Sequence, residues 1–213
     1  KYAGGKVSLC VESSFLNSEP SEIGDFYSQL ILGQVFEGLV STNPTDLTLQ
    51  LQLASKVDIT NNGLTYTFTI RDDVYFHDIG LSLRDKKLKP EDVVYSIEKA
   101  CSLSKKKVPS NAYSLVYKNA LKGATEFYEK KASSISGLSI KGNKVIMQLL
   151  QEDNNFLQKL SLLSCAVISK EAQQAGDQLI GTGPFILPKD NISEEKLLML
   201  KNENYYLYDK AGN

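Results

Sequence analysis

Histidine is almost missing from this 213-residue chain, which holds one, His77. That scarcity excludes a histidine-rich metal centre, and any Ser-His-Asp hydrolase would have to work through a single ring. No GxSxG elbow accompanies it. Cysteine is also scarce. Cys10, Cys101 and Cys165 lie far apart without a CxxC spacing, so they read as small buried hydrophobes rather than zinc ligands. An excess of one charge sign is lacking too: 24 Lys and Arg against 25 Asp and Glu leave a net charge of -1. A global field that would gather nucleic acid or an anionic membrane is thereby excluded. No apolar run is long enough to span a bilayer, and there is no fixed-period repeat or low-complexity tract.

The remaining catalytic signatures fail one by one. Asp72-Asp73, Glu91-Asp92 and Glu194-Glu195 pair carboxylates, but each has a local explanation as a turn, a helix start or a solvated loop. Gly181-Thr182-Gly183 looks like half of a nucleotide loop. The third glycine and the Walker lysine are missing, and Pro184 leads into a strand, so a structural turn is the better reading. The run Lys105-Lys106-Lys107 reads as a solvated loop, with no aromatic or glycine-rich partner beside it.

What is present is alternation. In Thr65 to Ile70, TYTFTI, the threonines fall on one face and Tyr66, Phe68 and Ile70 on the other, the period of a half-buried strand. Asn61-Asn62-Gly63 turns into it from Val57 and Ile59, which predicts a hairpin. A second hairpin is expected around Lys141-Gly142-Asn143. Lys6 to Glu12 reads as a first strand, Ala166 to Ile168 and Lys196 to Lys201 as later ones. Leu47, Leu49, Leu51 and Leu53 alternate as an extended edge laid on the core. Helices are predicted over Phe26 to Val40, from Pro90 with Val93, Ile97 and Ala100 buried, over Ala120 to Lys131, and over Phe156 to Leu163. Ser13 to Asp25 has no periodicity and is long for a connection, so it is either mobile or lines something. Strands and helices interleave with hairpins, which makes the chain α/β with mixed sheets.

The motifs, taken in order, resemble those of family 5 extracellular solute-binding proteins, the oligopeptide, dipeptide and nickel-binding group of ABC importers. GQVFEGLVSTN (Gly33 to Asn43), GLTYTFTIRDDVYFHD (Gly63 to Asp78) and LKPEDVVYSIEKA (Leu88 to Ala100) carry the resemblance first. ISGLSIKGNKVIMQL with NNFLQKL, then IGTGPFIL (Ile180 to Leu187) and NENYY (Asn202 to Tyr206), continue it. Lys89-Pro90 stands where the family places a capping Thr and Ala, and Tyr206 where it places Trp.

The resemblance implies a type II periplasmic-binding-protein lobe, incomplete, with the second lobe and the C-terminal return missing. It divides the chain into 1–45 with 165–213 as parts of the main lobe sheet domain, and 46–164 as an inserted α+β subdomain with hairpins. It further implies a non-enzyme that captures peptides or similar small solutes outside the cytoplasm and delivers them to a membrane ABC permease. The location implied is periplasmic or cell-surface, with a lipoprotein anchor as one form. No cofactor and no metal are expected, nor nucleic acid as a partner, and the full-length form is expected to be a monomer. An extracytoplasmic sensory or structural domain and a hydrolase using His77 stay as alternatives. For the ligand-binding residues, the family's cleft-lining loop matches Ser13 to Tyr27 and singles out Gly24, Phe26 and Tyr27; another wall segment matches the region of Tyr113. Phe26 has two readings, ligand surface or packing on the following helix, and Tyr113 likewise, ligand wall or surface tyrosine. Arg71 is expected to be a structural ion-pair partner.

Overall fold

A computed structural model describes residues 5–8, 18–78, 86–103, 107–177, 179–193 and 196–207. Its centre is a four-stranded antiparallel sheet in the order β3-β4-β6-β5, with β3 Ala54–Thr60, β4 Thr65–Ile70, β5 Leu138–Lys141 and β6 Lys144–Gln148. The alternating segment is β4, between two partners. Phe68 lies opposite Val57 on one side and Val145 on the other, and Tyr66 opposite Ile59 and Met147. Tyr66, Phe68 and Ile70 are buried and the threonines only half-buried, as a period of two requires. Asn61, Asn62 and Gly63 take left-handed conformations in the turn between β3 and β4. Asn tolerates that region and Gly has no Cβ to clash, which is why this tripeptide makes the turn.

Helix α2, Pro90–Ala100, lies over β5 and β6 and contributes Val93, Ile97 and Ala100 to the core shared with β4. Its N-cap, Lys89, offers no side-chain acceptor. Asp92, at the third helical position, supplies the reciprocal half of a capping box: one carboxylate oxygen accepts from Lys89 N–H at 3.1 Å and the other from Lys170 N–H at 2.9 Å. Tyr113–Tyr117 forms one π-helical turn, and α3, Ala124–Tyr128, follows. Short helices α4, Phe156–Leu160, and α5, Lys170–Gln174, complete this side.

A second, smaller core forms from the two ends of the chain. Ile23, Ile31, Leu32, Val35 and Phe36 pack with Ala166, Ile168, Leu179 and Leu187. Helix α1, Phe26–Leu32, supplies much of it. Two small antiparallel ribbons flank the cores: β1 Val40–Thr42 with β2 Leu49–Leu51, and β7 Phe185–Ile186 with β8 Leu200–Lys201.

Several expected elements are shorter than their periodicity suggested. Helix α1 stops at Leu32 rather than Val40, because the chain turns through Gly33 and must bring residues 34–36 against the Gly181–Phe185 segment. Helix α3 cannot start at Ala120: Gly123 is left-handed, and a Cβ there would lie 2.4 Å from Ser136 Oγ. Of the leucine stripe only Leu53 enters the core; Leu47 is 73% exposed, and Leu49 and Leu51 are exposed too. No described residue covers them; Leu53 and Ala54 are both buried, and a β-bulge follows between Ala54 and Lys56. Ala166 to Ile168 belongs to no named strand, and the last strand shrinks to β8. Of the first predicted strand, Leu9 to Glu12 lie outside the described residues, as do Cys10, Ser13 to Asn17, Lys105, Lys106, Glu194 and Glu195.

Candidate functional site

Two regions gather the polar and aromatic groups that the sequence singles out. The first is the entry to α1. A 3-10 turn, Pro20–Glu22, leads to Asp25, the N-cap, whose carboxylate accepts from Ser28 N–H at 2.7 Å. That hydrogen bond, the largest influence on the group, holds the carboxyl below its ordinary range. The cap fixes where the first helical turn projects. Phe26 is 70% exposed, so it does not pack on its own helix, and its ring meets Tyr27 edge-on at 5.6 Å between centroids. Leu30, one turn on, is exposed as well. Gly24 is exposed beside Asn111, whose Nδ2 donates to Ile23 O at 2.6 Å; a Cβ on Gly24 would come within 3.2 Å of that nitrogen. Gly24, Phe26 and Tyr27 are thus brought to one surface. Tyr113 is not. It is 2% exposed and stacks on Tyr128 with centroids 4.3 Å apart, so its ring packs as a core element rather than as a surface tyrosine.

The second region is a buried knot around Glu37, 3% exposed. One of its oxygens, Oε1, accepts from Gln52 Nε2 at 2.9 Å, Tyr205 OH at 2.8 Å and Tyr206 OH at 3.2 Å. The other, Oε2, accepts from Thr182 Oγ1 at 2.8 Å. Burial pushes the Glu37 carboxyl up, and the four donors pull it back. Burial likewise raises both phenols, and the Glu37 carboxylate adds to it. The guanidinium of Arg71 sits 4.8 Å over the Tyr206 ring and pairs with Asp73 through two bonds of 2.9 and 2.6 Å.

His77 is sealed into the same knot at 1% exposure. Its Nε2 lies 2.9 Å from Gly183 O, its Nδ1 accepts from Gly181 N–H at 3.4 Å, and its own backbone N–H donates to Gly181 O. Both ring nitrogens are used, which matches a neutral ring protonated at Nε2, and burial lowers its pKa. The glycines of the turn are required sterically. A Cβ on Gly181 would lie 2.0 Å from Val35 O, and one on Gly183 2.5 Å from Gln34 O. Beside the knot lies an open cavity of about 470 Å³, lined by Asp73, Tyr75, Phe76, Asn202, Glu203 and Tyr206 among others. Its carboxylates are already paired, Asp73 with Arg71, Asp78 with Lys86 and Glu203 with Lys201. Elsewhere Cys101 and Cys165 are both free thiols; burial pushes Cys165 up to about 11 and Cys101 higher still. Among the described residues no three His, Cys, Asp or Glu side chains gather as a metal site, and no helix is long and apolar enough to cross a membrane.

The knot unites four of the sequence motifs: Glu37 from VFEGLV, His77 from VYFHD, Thr182 from GTGP, and Tyr205 and Tyr206 from NENYY. A family model described as bacterial extracellular solute-binding proteins, family 5 Middle, matches residues 48–213. The chain belongs to that family. Among curated proteins this family 5 chain is similar to the peptide transport periplasmic protein SapA of Salmonella typhimurium, 28% identical over 167 residues, covering 74% of this chain and 29% of SapA. It is also similar to the dipeptide-binding protein of Lactococcus lactis, 27% identical over 220 aligned residues, covering 97% of this chain and 37% of that protein. The chain therefore spans about a third of the length of these relatives. Among solved structures, the murein tripeptide binding protein MppA in its unliganded open form superposes with a TM-score of 0.78 at 19% identity, covering 92% of this chain and 37% of MppA. DppA of Helicobacter pylori, in complex with the peptide STSA, gives a TM-score of 0.73 at 21% identity, covering 91% of this chain and 38% of DppA. These likenesses establish the fold of the family 5 chain as that of a peptide-binding-protein lobe.

Glu37 is not among the residues singled out from the sequence. Its signal was there: one carboxylate set inside the apolar run Val35-Phe36-Glu37-Gly38-Leu39-Val40 must find partners or stay out of the core. Asn111 carried no such signal, because its partner is a backbone carbonyl 88 positions away in sequence.

Proposed function

We propose that the protein is the substrate-binding component of an ABC importer, capturing peptides or similar small solutes outside the cytoplasm and delivering them to a membrane permease. The observation that carries this is the family match over residues 48–213. The names of its relatives favour peptides as the ligand class: SapA and the dipeptide-binding protein by description, DppA and the OppA of Listeria monocytogenes by the peptides they hold. The chain's own contribution is the surface at the start of α1. Gly24 gives a ligand backbone room to approach, and Phe26 and Tyr27 offer apolar and hydrogen-bonding area. Peptide recognition that reads backbone first tolerates varied side chains, which suits an importer of mixed peptides.

The role is binding without catalysis, in keeping with the one histidine being enclosed on both ring nitrogens. It needs no cofactor. The site of action is periplasmic or at the cell surface, and the working form is a monomer that meets a permease. The proposed division into a main lobe of residues 1–45 and 165–213 and an inserted subdomain of 46–164 draws on the smaller core, whose buried residues come only from positions 23–36 and 166–187; Leu39, Val40, Val167, Ala172, Ile180 and Tyr206 pack instead in the larger core.

Thermal unfolding of the complete protein against the tetrapeptide STSA, trialanine, glutathione and haem tests the reading. A peptide present at a hundredfold excess over its Kd stabilises the fold by about 2.7 kcal/mol, which raises Tm. No shift with STSA, trialanine or glutathione overturns peptide capture, and a shift with haem alone replaces it with capture of another solute.

A further inference from the structure

The segment that leads into α1 has no regular structure of its own beyond three residues of 3-10 turn, yet it presents Phe26 and Tyr27. Its position comes from side chains of other elements. At its start, the Lys99 ammonium of α2 forms an ion pair with Glu19, and Glu19 also accepts from Ser21 Oγ at 3.4 Å. Lys99 reaches a third segment as well, donating to Gln173 Oε1 of α5 at 2.5 Å. At its end, Asn111 donates to Ile23 O at 2.6 Å. Asn111 is itself held in place: the neighbouring Ser110 is buried, donates to Ala100 O at 2.6 Å, and accepts from Tyr113 N–H at 3.0 Å. Ile23 adds an apolar anchor in the smaller core.

We propose that Lys99 and Asn111 are positioning residues for the ligand surface: two struts that hold residues 19–25 and so fix the angle at which Phe26 and Tyr27 are offered. The proposal rests on Gly24, Phe26 and Tyr27 being that surface. Neither strut needs to touch the ligand. Lys99 clamps the segment from α2. Asn111 clamps it from the stretch that also sends Ala112, Tyr113, Val116 and Tyr117 into the main core. The ion pair is shielded, with only 27% of the Lys99 and 14% of the Glu19 side chain exposed, and shielded pairs are screened by salt less than fully solvated ones. Preorganisation of this kind raises affinity by removing the ordering cost of a loop from the binding step.

The same geometry assigns Gly24 a specific constraint. With Asn111 Nδ2 engaged at Ile23 O, a methyl group on Gly24 would press on that nitrogen. The strut and the glycine therefore form one unit, and the segment tolerates side chains poorly at that point.

The test uses the complete protein with four variants, Asn111→Asp, Asn111→Ala, Lys99→Met and Lys99→Arg. Asn111→Asp keeps the shape and removes the donor; Lys99→Met keeps the stem and removes the charge, and Lys99→Arg restores it. Amide hydrogen exchange is read at residues 23–28, and peptide affinity is read by calorimetry with STSA and trialanine. Exchange there is expected to rise about tenfold in both Asn111 variants and in Lys99→Met, with global Tm little changed and Lys99→Arg close to wild type. Peptide affinity is expected to fall about tenfold in the same three variants, mainly as an entropic loss. Unchanged exchange at 23–28 overturns the struts. Faster exchange with unchanged affinity overturns their positioning role. A wild-type protein that binds neither peptide overturns the reading of the surface instead, and the exchange data then decide the struts alone.

Discussion

The Glu37 knot and the entry to α1 use polar groups in opposite ways. In the knot, one carboxylate takes four donors from three distant segments and is cut off from water. At the α1 entry, the polar groups act one at a time on the backbone, Asn111 on Ile23 O and Asp25 on Ser28 N–H, and leave Phe26 in solvent. A saturated buried network resists change, because losing any member strands the others without water to replace it. A surface held by single struts keeps its aromatic side chains free for something else. The motifs strongest in the sequence thus mark the scaffold, and the least regular stretch leads into the surface proposed for a ligand.

Glu37→Leu should separate the two regions most sharply. It leaves three hydroxyls and an amide without their acceptor, and is expected to cost roughly 3–5 kcal/mol in urea unfolding. A loss below about 1 kcal/mol would mean that the donors find other partners. Gly181→Ala comes next. Its methyl group meets the Val35 carbonyl, backbone that cannot swing aside, and about 1–3 kcal/mol or more should be lost, where an exposed Gly142→Ala, with open space around it but a left-handed backbone, should lose only about 1 kcal/mol.

Acid probes the knot more gently. His77 binds its proton less readily in the fold than in the unfolded chain, whose ordinary value is 6.5. Its contribution to stability is therefore intact above 6.5 and is lost as pH falls from there towards the folded value. Glu37 has the opposite sign: its raised folded value means that protons bind the fold more readily, so acidification towards 4.5 returns stability. In His77→Asn the first contribution vanishes. The Tm gap between wild type and this variant, recorded from about pH 8 to about pH 5, is expected to narrow as the pH falls. A gap that stays constant would show that His77 does not titrate in this window.

Phe26→Ala should have the smallest effect on stability, within about 0.5 kcal/mol, because the ring is exposed and its removal leaves no cavity. Peptide affinity should nonetheless weaken by about 1 kcal/mol or more in the complete protein. Equal loss of stability and binding would merge the two regions and refute the distinction between them.

Much of this was legible in the residues. The β3–β4 hairpin follows from Asn61-Asn62-Gly63 between alternating runs, and the buried face of β4 from Tyr66, Phe68 and Ile70. Helix α2 follows from Pro90 and its apolar spacing. Helix lengths were overstated where backbones approach each other, as at Gly123 against Ser136, because periodicity describes one segment and not its neighbour. Leu47, Leu49 and Leu51 have a core pattern without a core over them. Tyr113 looked like a candidate wall residue, and its stacking on Tyr128 depends on where α3 begins.

By itself the sequence determined the scarce catalytic groups, the hairpins, the helix over Pro90–Ala100 and the ordered motifs of a solute-binding family. Local alternation and turn chemistry decide those within a few residues, so one dimension suffices. The tertiary structure alone decided that Glu37 collects Gln52, Thr182, Tyr205 and Tyr206, that His77 is locked between Gly181 and Gly183, and that Asn111 steadies Ile23. Each of those contacts joins residues far apart in the chain. They form only once the fold brings those segments together and, at Glu37 and His77, limits water as a competing partner.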